Sequence, residues 1–333
     1  MDKMKDTAEG SLLKLRRWIV FLGAVSLILL AVVFSGFLQW EEDEEDKNFQ
    51  KIFQEKYGIY ALQIPDEIAF AGERVPLERF DVQEAFDQEL LINTYWQSQT
   101  LLFIKRANRY FPVLERILKE EGVPDDFKYL VLVESDLKNA VSPAGAVGIW
   151  QFLEGTAEDY GLEVNAVVDE RYHIEKATRA ACEYLKSAKE KFGTWTMAAA
   201  AYNMGRTGLI RQMNRQKEDN YYDLLLNQET ARYIYRILAV KLILNNPQKY
   251  GFHLKEDDLY PMIPTFELKV DTAVADFAAF AAEYGITYKI LKYFNPWLRD
   301  TYLRNPQGKT YFIKIPEQYP LADVSSDSIP NVN

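Results

Sequence analysis

VPDDFKYLVLVESDLKNAVSPAGAVGIWQF, residues 123–152, decides how this 333-residue chain is read. Its first part predicts a short helix opened by Pro124 and Asp125, because a proline at a helix start forfeits no intrahelical hydrogen bond. Tyr129, Leu130, Leu132 and Val133 leave that helix apolar almost all round, so it must be buried. Glu134 stands at its C-terminal end. Gly145, Gly148 and Gly155 follow, where helical propensity fails and backbones can approach closely. A carboxylate at the end of a buried helix, beside a glycine-rich loop, is poised to lose its hydration. Desolvation disfavours the charged form, so such a glutamate can hold a proton near neutral pH. That is the donor a glycosidic leaving oxygen needs. The competing reading is a cap or an arginine partner, since buried carboxylates are rarely left unpaired.

Outward from this stretch the chain reads as helix after helix from about residue 85 to 250. Residues 91–122 carry apolar side chains at helical spacing and end on Gly122. Residues 174–193 form a further helix stopped by Gly193, and 195–205 a small-residue helix stopped by Gly205. Residues 229–246 are the last strong helix, ending near Pro247. The texture then changes. TFELKV (265–270) and TYFIKIP (310–316) read as strands, with two short helices between them, in 275–285 and 287–298. The fold class is therefore mainly α, with a small α/β C-terminal module at 262–317 and a disordered tail at 318–333.

The N-terminus differs from the rest. WIVFLGAVSLILLAVVFSGFLQW, residues 18–40, contains no charged side chain and as a helix would span about 34 Å, enough to cross a bilayer. Trp18 and Trp40 stand at its two ends, where interfacial aromatics belong. Lys14, Arg16 and Arg17 precede it and the run Glu41 to Asp46 follows it. The positive-inside rule then expects a cytoplasmic N-terminus at 1–17, a single-pass anchor in the inner membrane at 18–40, an acidic tether at 41–85, and everything beyond it in the periplasm. A cleaved signal peptide is the competing reading; the apolar run is longer than a usual signal core, and no A-x-A site follows it.

The net charge of −10 argues against gripping nucleic acid through bulk charge. Two histidines and one cysteine offer no dedicated zinc site, and no metal or organic cofactor is implied. Cys182 lies in an apolar helical pattern and reads as a buried, inert thiol. Trp150 and Trp195 likewise read as core.

Four ordered elements carry a family resemblance. Glu134-Ser135 followed by Ser142 to Phe152 resembles the signature of lytic transglycosylases. Ala201-Tyr202-Asn203-Met204-Gly205 resembles their A-Y-N-x-G motif, and Glu229 to Tyr233 their E-T-x-x-Y element. Asp169-Glu170-Arg171 fits the D-E-R stretch of the branch typified by membrane-bound lytic murein transglycosylase D. The resemblance covers roughly 95–250 and implies a lysozyme-like helical catalytic domain, bounded here at 86–255. It implies a partner, the peptidoglycan glycan strand, and a single catalytic glutamate, Glu134. That residue would protonate the oxygen between N-acetylmuramic acid and N-acetylglucosamine, then act as base on the muramic C6 hydroxyl, leaving a 1,6-anhydro product. By the same resemblance Ser142, Gln151, Tyr202, Asn203 and Tyr233 would contact substrate, with the Tyr202 hydroxyl approaching the catalytic carboxylate. Ser135, Gly148 and Glu229 would support the site, Glu229 by bracing its back. Glu229 and Tyr233, four residues apart, would share a helix face. Three departures stand out: a Glu134-to-Ser142 interval one residue short, Arg206-Thr207-Gly208 in place of glycine-proline-glycine, and Ile149 for leucine.

The C-terminal module, with Leu291 to Pro296 as its "L-x-x-x-N-P" pattern, resembles a degenerate LysM domain, a module that binds N-acetylglucosamine-containing glycans. A structural cap is its other reading. For the whole chain, a lysozyme-type hydrolase and a catalytically silent peptidoglycan-binding envelope protein are the alternative functions.

Overall fold

The computed structural model describes residues 16–35 and 58–319. Two compact units divide the chain, one up to Ala61 and one from Leu62 onward. In the first, helix α1 (Arg16–Ser35) is 20 residues long and strongly apolar, and none of its residues is buried against protein. By length and composition it can cross a membrane. The rest of the expected anchor (36–40), the expected cytoplasmic N-terminus up to residue 15, the tether as far as 57 and the tail from 320 lie outside the described residues.

The second unit opens with a two-stranded antiparallel hairpin, β1 (Ala69–Phe70) and β2 (Glu73–Arg74). Helices α2 (Phe80–Tyr95), α3 (Gln97–Glu121) and α4 (Phe127–Ser135) follow, then α5 (Glu154–Asp159) after the glycine-rich loop. Helices α6 (Ile174–Phe192), α7 (Trp195–Met204), α8 (Arg206–Gln216) and α9 (Gln228–Asn245) complete the helical part. Helix α2 lies along α9, α6 packs on α7 and α3, and α4 is held between α3 and α9. Placing α4 at the centre follows from its sequence: Phe127 through Val133 are all buried, which only a helix surrounded by others permits. Caps set the other starts. Thr194 accepts from the Met197 N–H and Asn227 from the Thr230 N–H, occupying donors that the first turns of α7 and α9 leave free. Gly122 ends α3 in the left-handed conformation that its sequence position suggested.

Two boundaries differ from the sequence reading. The stretch 91–122, read as one helix, breaks at Trp96 into α2 and α3. From Leu62 onward the stretch read as a tether, 41–85, belongs to the second compact unit. Phe70, Val75, Leu77 and Val82 are core residues, and the Ala71 N–H donates to Asp126 on the α4 cap at 2.6 Å. The apolar stretches around them are too short to set a helical or strand period, so only packing reveals them. The domain start at 86 is corrected accordingly.

The C-terminal module is strand, helix, helix, strand, as read: β3 (Thr265–Val270), α10 (Phe277–Glu283), α11 (Tyr288–Phe294) and β4 (Tyr311–Pro316), with β3 and β4 antiparallel and Thr265 opposite Pro316. Its core of Val270, Phe277, Leu291, Trp297 and Ile313 is completed by Val147, Val168 and Tyr172 from the helical part. The two parts thus share a core, and the Asp169 N–H donates to the Trp297 carbonyl at 2.9 Å.

Candidate active site

Glu134 occupies the last turn of α4, and its geometry follows from how that helix stops. Asp136 caps it in the left-handed conformation (φ 56°), with its N–H returned to the Leu132 carbonyl, and Leu137 is left-handed too (φ 56°). Two such residues in succession turn the chain sharply into the glycine-rich loop. Ser135, buried, donates to the Ile149 carbonyl at 2.7 Å and ties the helix end to the far side of that loop.

The loop folds on itself. Val147 and Phe152 exchange two backbone hydrogen bonds at 3.0 and 3.1 Å, and the Ser142 N–H donates to the Ala146 carbonyl at 2.8 Å. The Ser142 hydroxyl accepts from the Ala146 N–H at 2.9 Å, so this expected substrate contact also closes the tight turn. Gln151 is left-handed (φ 51°) and its amide donates to the carbonyls of Gly148 (2.7 Å) and Ala140 (3.1 Å). This expected cleft residue therefore staples the loop in place.

Gly148 needs to be glycine on two counts. Its φ is +82°, and a Cβ there would stand 2.0 Å from the Arg171 carbonyl oxygen. The segment it touches is the D-E-R stretch, whose role no pattern in the sequence disclosed. Arg171 forks onto Asp169 at 2.9 and 2.8 Å, both side chains buried, and its guanidinium also reaches the carbonyl of Phe152 at 3.4 Å. Glu170 accepts from the Glu163 N–H at 2.9 Å and pairs with Lys176. The stretch is a buttress behind the glycine-rich loop.

Side chains from α7 and α9 surround Glu134. The Tyr233 hydroxyl donates to Glu134 Oε1. Tyr202, whose hydroxyl is expected to approach the carboxyl, donates to the Trp150 carbonyl at 2.6 Å, its ring edge-on to Trp150 and Tyr184, and lies close enough for the charge of Glu134 to act on it. Tyr233 makes the hydrogen bond to the carboxyl because it projects from α9 at the end of α4. Asn203 donates to Glu229 at 3.2 Å and accepts from Thr230 at 2.7 Å. Glu229 is exposed on the first turn of α9, where it holds Asn203 and is near enough for its charge to act on Glu134. Arg236, which the sequence reading passed over, acts from the same helix. Trp150 is fully buried and donates to Thr178 at 2.9 Å, a core residue as read.

Burial pushes the Glu134 carboxyl up to about 7; the Tyr233 hydroxyl opposes this, the negative charge of Glu229 adds to it, and Arg236 offsets it. Near neutral pH such a group is populated in both its acid and its base form. Burial also holds Tyr202 and Tyr233 well above the usual phenol range, so both stay protonated. Among the described residues no group of histidine, cysteine and carboxylate side chains could hold a metal ion.

A family model described as the transglycosylase SLT domain matches residues 112–225, which spans α4, the glycine-rich loop and the D-E-R buttress. The chain carries a transglycosylase SLT domain. A second model, described as the soluble lytic transglycosylase C-terminal LysM-like domain, matches 266–319. The SLT domain thus runs into a LysM-like module, as the two resemblances in the sequence anticipated. Membrane-bound lytic murein transglycosylase D of Escherichia coli strain K12 is 28% identical over 260 residues, covering 75% of this chain and 56% of that protein. The protein of the same name from Escherichia coli O6:H1 matches to the same extent. The chain thus spans little more than half the length of these relatives.

Proposed function

We propose that the protein is a peptidoglycan lytic transglycosylase, a carbon-oxygen lyase that cleaves the β-1,4 bond between N-acetylmuramic acid and N-acetylglucosamine. The observation that carries this reading is one carboxyl, Glu134, poised near 7 at the end of the buried helix of an SLT domain and hydrogen-bonded by Tyr233. A single group at that poise can serve both halves of an intramolecular transfer. As the acid it protonates the leaving glycosidic oxygen. As the resulting carboxylate it takes the proton of the muramic C6 hydroxyl, whose oxygen closes on C1 to give the 1,6-anhydro ring. No water enters and the proton balance closes on Glu134. Tyr233 orients the carboxyl and favours its ionised form after the first step. Ser142, Gln151, Tyr202 and Asn203 shape the surrounding walls, with Ser135, Gly148 and Glu229 supporting them.

The same reading takes α1 as an uncleaved single-pass anchor in the inner membrane, with the residues before it cytoplasmic and the SLT domain in the periplasm. The lysines and arginines before the apolar run and the acidic run after it support that orientation.

Mass spectrometry of fragments released from purified sacculi tests the chemistry. Anhydromuramic ends are expected. Reducing muramic ends would make the enzyme a hydrolase, and no release would leave only binding. Glu134→Gln should stop release while leaving the fold intact; continued cleavage by that variant overturns the assignment.

A further inference from the structure

A cavity of about 560 Å³ opens between the SLT domain and the C-terminal module, and Glu134 is not among its lining residues. Its inner wall is the back of the catalytic loop, at Leu137, Asn139 and Ile149; the facing wall is Tyr293, Pro296 and Trp297 of the module. A pocket of this size holds a ligand of disaccharide or short-peptide dimensions.

Its charge runs against that of the protein. In a chain of net charge −10, five cations line the cavity, Arg106, Arg109, Lys138, Lys292 and Lys314, against one carboxylate, Glu175. Lys314 is paired with Glu175, and Lys138 lies 3.0 Å from Asp136. Lys292 donates to the carbonyls of Leu298 and Asp300 and lies near the Asp300 carboxylate. The two arginines are satisfied by neutral groups: among the described residues Arg106 donates to the Asp136 carbonyl at 3.2 Å, and Arg109 to the Pro261 carbonyl at 3.0 Å and the Tyr293 hydroxyl at 2.6 Å. Positive charge gathered in a concave, partly apolar site attracts an anion and strengthens its hydrogen bonds. The rim supplies a second chemistry. Tyr293 and Met262 are half exposed, and Tyr260 lies beneath the Arg109 guanidinium at 5.4 Å. Flat aromatic faces and a thioether of this kind cover the apolar face of a ring.

We propose that this cavity binds an anionic muramyl peptide, its sugar ring against Tyr260, Tyr293 and Met262 and its carboxylates toward Arg106 and Arg109. The inference rests on peptidoglycan being the substrate, and extends that reading to a second site beyond the cleavage centre. A ligand seated there touches the SLT domain and the module together, and reaches the catalytic loop from behind through Ile149, whose carbonyl anchors Ser135.

The test uses the full chain in detergent carrying Glu134→Gln, so that nothing is cleaved. Muramyl dipeptide is titrated by calorimetry with an N-acetylglucosamine trimer as the neutral control. Saturable binding of muramyl dipeptide is expected, weakened about tenfold or more by Arg109→Met, with the trimer unaffected by that change. Equal binding of muramyl dipeptide before and after Arg109→Met, or the absence of its binding, overturns the proposal. Fragment release from sacculi by the wild-type protein is scored separately. Release without muramyl peptide binding sinks the second site alone, whereas failure of release sinks the enzymatic reading beneath it.

Discussion

Gly145 and Gly148 form a matched pair in one loop, and replacing each by alanine separates backbone strain from steric exclusion. Their φ values are +81° and +82°, so alanine meets the same left-handed penalty at both, about 1–2 kcal/mol. Nothing lies within 4 Å of the Cβ at 145, whereas the Cβ at 148 would stand 2.0 Å from the Arg171 carbonyl oxygen. Contacts shorter than 3.0 Å are essentially never seen for a real Cβ, so the loop or the buttress must move by about 1 Å. The neighbour is backbone, held by the Arg171–Asp169 fork, and cannot swing aside as a side chain would. Gly145→Ala should cost about 1 kcal/mol and lower Tm by about 2–4 °C. Gly148→Ala should cost about 3–5 kcal/mol, in the range of severe core lesions. Because the same loop anchors Ser135, a displacement near 1 Å should also lower kcat/KM by about 100-fold in the folded fraction. Thermal melts followed by near-UV circular dichroism, and turbidity clearance of sacculi at a temperature where both variants are folded, read the two effects. Equal melting temperatures for the two variants, with equal clearance rates, would refute the steric argument.

The alkaline fall in activity should be governed by Glu134, with kcat/KM declining tenfold per pH unit above about 7, read from initial rates across a buffer series. Tyr233→Phe removes the hydrogen bond that favours the ionised carboxylate and should move that fall to higher pH, while Glu229→Gln removes a neighbouring negative charge and should move it lower; shifts in the same direction would contradict this balance of charge and hydrogen bonding around the carboxyl. Stability carries the same signature. With its folded pKa raised, Glu134 favours the native state as pH falls from above 7 toward the ordinary carboxylate range, so Glu134→Gln should gain stability over wild type above pH 7, by up to about 3 kcal/mol, and lose that advantage near pH 4.5 in denaturant melts. Arg171→Met strands buried Asp169 and should cost about 3–5 kcal/mol, measured by urea unfolding; a loss below about 1 kcal/mol would show that the buttress is dispensable.

The helical character, the strand–helix–helix–strand module, the apolar N-terminal run and Glu134 itself were all legible in the linear chain. Each is a matter of local period, or of residue types at fixed spacing, and neighbours in sequence enforce it. The start of the folded unit was not legible, because Phe70, Val75 and Leu77 sit in short apolar stretches whose burial depends on partners far along the chain.

What the residues determined alone is where helices begin and end and which acidic side chain sits at the close of a buried helix, since caps, glycines and apolar periods act within a few residues. What only tertiary packing decided is which tyrosine hydrogen-bonds Glu134, that Gln151 and Ser142 brace their own loop, and that Asp169–Arg171 supports it from behind. Those assignments depend on the directions in which α4, α7 and α9 project their side chains once packed. A 99-residue separation between Glu134 and Tyr233 carries no such direction until the helices meet.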